Sequence, residues 1–140
     1  LGSYSAKGSS YFNGAEQWTM ELTKDASDIS KVWIGNFVAG GSNKLVYGIV
    51  NSDMSVISVP KGQAIASSSS YGYIELRAYY GPDGADEIPD GGVITIQIAA
   101  DKKSMTIMDE IGSYVWQNAD KSGGLGWYNI FQAGIIMTKN

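Results

Sequence analysis

The sequence predicts an all-β fold, an antiparallel up-and-down barrel of about eight to ten strands. Three observations carry that expectation. Apolar residues recur at every second position along most of the chain, the pattern of strands with one face on a core. No stretch of about eleven residues sustains the i, i+3, i+4, i+7 spacing of an amphipathic helix. Turn residues interrupt the alternation at short intervals, which favours sequential pairing over the long crossovers of a Greek key. A β-sandwich is the alternative that shares these signals. The 140 residues suit one barrel domain, 1–140, with no linker and no internal repeat.

The first strand covers 2–7, and Tyr11-Phe12-Asn13-Gly14 follows it with the Asn-Gly pair of two-residue hairpins. In 15–23, Trp18, Met20 and Leu22 share a face. The run 31–38 sets Val32, Ile34 and Val38 against Trp33 and Phe37, and Gly40-Gly41-Ser42-Asn43 divides it from 45–50. Asn51-Ser52-Asp53 leads into 56–66, where Pro60-Lys61-Gly62 breaks the ladder. A serine run, Ser67–Ser70, precedes 72–80, in which Ile74, Leu76, Ala78 and Tyr80 oppose Tyr73, Glu75, Arg77 and Tyr79. Gly81–Gly92 carries two Pro-Asp-Gly turns, and 93–100 then points Ile94, Ile96 and Ile98 inward. Asp101-Lys102-Lys103 is the tip before 104–108. Strands at 113–117 and 126–138 complete the set, with Lys121-Ser122-Gly123-Gly124 between them. Helix is confined to short turns near Asp25–Ser30 and Asp109–Gly112.

Composition excludes more than it assigns. With no Cys and no His, disulfide frameworks, thiolate chemistry, Ser-His-Asp triads and Cys/His zinc sites are all ruled out. Ten basic against 14 acidic side chains give a net charge of −4, which argues against nucleic acid or an anionic membrane as partner. The apolar runs are too short for a membrane span. Only 17% of residues are charged, so the surface polarity falls to Ser, Asn, Thr and Gln, a mix common in extracytoplasmic β proteins. The chain opens on Leu1 without a leader-like apolar segment, which reads as a processed chain or an excised domain.

The segment Lys31-Val32-Trp33-Ile34-Gly35-Asn36-Phe37, followed by Leu45-Val46-Tyr47-Gly48-Ile49-Val50 and Ile57-Ser58-Val59-Pro60-Lys61-Gly62-Gln63, resembles lipocalin-like β-barrel domains. Such domains occur in secreted proteins and lipoproteins of gut Bacteroidetes. The similarity spans about residues 16–66, and its most specific part is Pro60-Lys61-Gly62-Gln63. It implies a calycin-type barrel, a secreted or outer-membrane location and no enzymatic activity. A shorter stretch, Gly126-Trp127-Tyr128-Asn129, is similar to the opening strand of the biotin-binding avidin barrels.

Four Trp and nine Tyr are the main chemical resource, each with an apolar face and a polar tip. Trp18 belongs with core packing. Trp33 lies on a strand apolar on both faces. Trp116, paired with Tyr114, and Trp127 flank Gly-rich loops, where barrel mouths form. Glu75 and Arg77, between Tyr73 and Tyr79, make either a polar floor inside the barrel or a solvated outer face. The candidate ligand-binding residues are therefore Trp33, Trp116, Trp127, Tyr114, Tyr79, Glu75 and Arg77. Asp83, Asp86, Glu87 and Asp90 crowd one loop, but Pro-Asp-Gly turns account for two of them and the spacing matches no calcium loop. No metal, cofactor or catalytic residue is expected. Three functions follow: a barrel holding a small apolar or amphipathic ligand, a carbohydrate-contacting module with exposed aromatics, and a packed structural domain of a larger surface protein.

Overall fold

The computed structural model describes residues 1–140 and is all-β, with no helix. Its strands are β1 (Gly2–Ser10), β2 (Gly14–Lys24), β3 (Lys31–Gly35), β4 (Val46–Val50), β5 (Val56–Pro60) and β6 (Ala64–Ala66). They continue with β7 (Tyr73–Tyr79), β8 (Val93–Ile98), β9 (Ser104–Ile107), β10 (Glu110–Trp116), β11 (Gly124–Phe131) and β12 (Ile135–Lys139). Eight strands close an antiparallel barrel in the order β1-β2-β3-β4-β5-β8-β9-β12, with β12 returning to β1. Chain order is kept around that ring except for two excursions, β6–β7 and β10–β11. It is an up-and-down barrel with two insertions.

The insertions complete each other. β7 and β10 pair antiparallel from Tyr73↔Trp116 to Tyr79↔Glu110, with β6 outside the first and β11 outside the second. This four-stranded extension joins the barrel through Ser10↔Phe131. Its far edge is covered as well: the N–H groups of Asn43 and Lys44 both donate to the Ile65 carbonyl, and the Asn43 amide brackets Ser67. An open strand edge is thereby paired by a loop.

Twelve strands form where ten were expected, because two long apolar runs are cut by backbone chemistry. The run 56–66 splits at Lys61-Gly62, where Gly62 has φ +92. There the Gln63 amide accepts from the Tyr47 N–H at 2.9 Å and donates to the Tyr47 carbonyl at 3.0 Å, standing in for a strand partner beside β4. The run 126–138 splits before Gly134, at φ +98. β3 stops at Gly35 rather than 38, since Asn36 takes φ +58 and ties its amide to the Thr19 carbonyl. Neither expected helical turn forms. At 25–30, Asp25 and Asp28 bind the N–H groups of Ser27, Asp28 and Ser30 and hold turns instead, while 110–112 is strand. Tyr80, grouped with the apolar face of its strand, lies past the end of β7 and is 46% exposed.

Inward side chains fill the barrel and the gap under the extension as one continuous core, from Tyr4, Met20 and Ile34 to Leu76, Ile111 and Phe131. Gly48 is one of the small residues of the inner wall. A Cβ there would lie 2.6 Å from the Ile57 side chain, so neighbours already occupy its space.

Candidate functional site

Period-two alternation on β7 buries Ile74, Leu76 and Ala78 and leaves Tyr73, Glu75, Arg77 and Tyr79 on the outer face of the extension. β10 does the same, with Ile111, Ser113 and Val115 inward and Gly112, Tyr114 and Trp116 outward. β11 adds Trp127 opposite Tyr114, after a bulge in which Tyr128 is the extra residue. Gly112 lets Trp127 cross β10, because a Cβ there would meet the indole at 2.8 Å.

The rings form a continuous strip. Tyr79 and Trp127 have centroids 6.2 Å apart, Trp127 and Tyr114 5.3 Å, and Tyr114 and Trp116 4.9 Å, all tilted or edge-on. Arg77 lies over the strip, its guanidinium carbon 4.5 Å from the Tyr114 centroid and 5.4 Å from that of Trp127. Its Nε and Nη2 both donate to one oxygen of Glu87, at 2.8 and 2.6 Å.

Beside the rings is a cleft of about 180 Å³ built on Glu75. This carboxylate is 3% exposed and accepts from Trp116 Nε1 at 3.0 Å, Lys61 Nζ at 3.2 Å and Lys121 Nζ at 3.3 Å. Burial pushes Glu75 up, but the indole hydrogen bond and the two ammonium charges outweigh it and hold the group below the usual range. Lys61 also binds Asp90 at 2.9 Å. Burial disfavours its charge, yet Asp90 and Glu75 hold it above the ordinary lysine value. Glu75 therefore serves as a fixed acceptor rather than a proton donor.

Comparison with protein-family models, with curated proteins and with solved structures finds no match to this chain.

Six of the seven candidate residues thus meet on one face: Glu75, Arg77, Tyr79, Tyr114, Trp116 and Trp127. They lie on the outer face of β7, β10 and β11, strands that are not part of the eight-strand ring. Trp33 does not join them. It stands on the outside of β3, donating its indole N–H to Asp25 at 2.8 Å, with Tyr47 edge-on at 6.0 Å and the Lys31 ammonium over both rings. Hydrogen bonds from Asp28 and from Trp33 hold Asp25 far below the ordinary carboxylate range. Lys61 and Lys121 sit in turns and carry no local mark of a site; the one signal for them in the sequence is Glu75 at the centre of β7, a carboxylate that demands cations once buried. The acidic loop gathers no three-carboxylate cluster. Its Glu87 and Asp90 instead partner Arg77 and Lys61.

Proposed function

We propose that this chain is a non-enzymatic, extracytoplasmic binding domain that contacts carbohydrate through the outer aromatic face of its extension. One observation carries the reading: the Tyr79–Trp127–Tyr114–Trp116 strip lies beside fixed hydrogen-bonding charges instead of being folded into the core. A sugar ring needs this combination, an apolar surface for its C–H face and polar groups at its edge for hydroxyls. The resemblance of residues 16–66 to lipocalin-like domains and the Ser- and Asn-rich surface support the location. Electrophoresis through gels containing a panel of polysaccharides tests the proposal. Retardation by at least one, relieved when Trp127→Ala removes about 1–3 kcal/mol of contact, is the expected result. Unchanged mobility in every gel overturns it.

The filled interior favours a second reading, a packed structural domain in which the same face meets a neighbouring protein. A small ligand held inside the barrel would need side chains to leave the core.

A further inference from the structure

We infer that the cleft at Glu75 is a subsite for an anionic sugar, one carrying a ring carboxylate or an equivalent oxyanion, in which the ligand takes the place of Asp90 and Glu87. The inference rests on the carbohydrate reading of the aromatic face and adds the class of sugar.

The cleft combines buried charges with exposed ones. Lys61 has a side chain 7% exposed and is held by the buried Glu75, and Arg77, 17% exposed, rests on the Tyr114 and Trp127 rings. Glu75, 3% exposed, is equally fixed. The carboxylates that complete the balance are different: Asp90 is 93% exposed and Glu87 37%, and both project from the Gly81–Gly92 loop. Without those two, Lys61, Lys121 and Arg77 face Glu75 alone, and the cleft floor is net positive by two charges. Ion pairs to exposed partners in water are worth little, so the two rim carboxylates are weakly held substitutes for a better anion.

The geometry suits an oxyanion on a ring. Arg77 lies over Tyr114 and Trp127, and only one Glu87 oxygen engages it, so the guanidinium has N–H capacity for a second acceptor. Lys61 and Lys121 both line the cleft and donate to the same Glu75 oxygen. A ring resting on Trp116 would bring an attached carboxylate to these cations. The overall charge of −4 does not oppose this, because screening over about 8 Å at physiological salt leaves the local cations in control.

Titrations followed by Trp emission test the inference with three probes: galacturonic acid trisaccharide, its carboxyl-reduced neutral counterpart, and a sulfated galactose trisaccharide. The acidic trisaccharide should bind at least about tenfold more tightly than the reduced one, with an affinity that falls as salt is added. Asp90→Asn and Glu87→Gln change exposed side chains and leave the fold intact. Each should tighten the acidic ligand by about three- to tenfold and leave the neutral one unchanged. Equal binding of the sulfated probe assigns the site to oxyanions generally, and weaker binding assigns it to carboxylates. If acidic and reduced trisaccharides bind alike and the rim variants change neither, the anionic subsite is wrong while the carbohydrate reading stands. If none of the probes binds and every polysaccharide gel is also negative, both fall.

Discussion

The indole N–H of Trp116 donates to Glu75 at 3.0 Å, so a ring of the aromatic strip also holds the carboxylate on which the charged cleft is built. The two halves of the face are coupled through this contact.

Acid should dismantle that coupling. Glu75 titrates below its ordinary value of 4.5 in the folded chain, and a carboxyl with a depressed folded pKa stabilises the fold above its unfolded value. The contribution is lost as pH falls through the lowered value. Thermal midpoints should therefore hold steady above pH 5 and decline below 4.5. Glu75→Gln should show a shallower decline; an identical acid limb would show that Glu75 is not its source.

Removing Trp18 and removing Trp116 should have unequal effects. Trp18 lies 4.7 Å from Phe131 at the edge of the core and donates to the Asn36 carbonyl, so Trp18→Ala should cost about 3 kcal/mol. Trp116→Ala forfeits one hydrogen bond to a charged acceptor and should cost about 1.5 kcal/mol. Denaturant midpoints measure both. Equal losses would mean that the outer face bears as much of the stability as the core edge.

Gly48→Ala probes whether the barrel is full. Its Cβ would lie 2.6 Å from Ile57 Cγ2 and 3.1 Å from Val59 Cγ2, an overpacking expected to cost about 1–3 kcal/mol. A neutral or stabilising result in the same unfolding assay would reveal room in the inner wall.

Asn129 ties the extension to the barrel. Buried to 3% exposure, it accepts from Ser10 Oγ at 2.6 Å and donates to the Ala39 carbonyl at 2.8 Å and to Glu16 at 3.1 Å. Asn129→Ala should destabilise by about 2–3 kcal/mol, since it strands buried polar partners. Amide exchange should accelerate in β10 and β11 ahead of β3 and β4. Uniform acceleration would show that the extension opens only with the whole barrel.

The parts of this molecule that are legible in the sequence are those set by local alternation. Ile74, Leu76 and Ala78 against Glu75, Arg77 and Tyr79 follow from the pleat alone, and so does the pairing of Tyr114 with Trp116 on one face. That these faces coincide depends on the register Glu75↔Tyr114 and Tyr114↔Trp127, contacts between segments far apart in the chain, about which alternation is silent. Trp33 shows the opposite failure. Its strand is apolar on both sides because Trp33 and Tyr47 pack on each other outside the barrel, which in sequence looks the same as a lining position. Lys61 was hidden by its setting, where the Pro and Gly on either side signal only a break.

The outer face also has a history within each folding event. Trp116 and Glu75 are separated by 41 positions, and the chain between them includes β8 and β9, which belong to the barrel. The pairing of β7 with β10 closes a long loop, and that entropy is recovered only when the intervening strands have a wall to join. No fragment shorter than this span can present the face. It should be among the last surfaces to assemble and, by the same reasoning, a sensitive reporter that the rest of the chain has folded correctly.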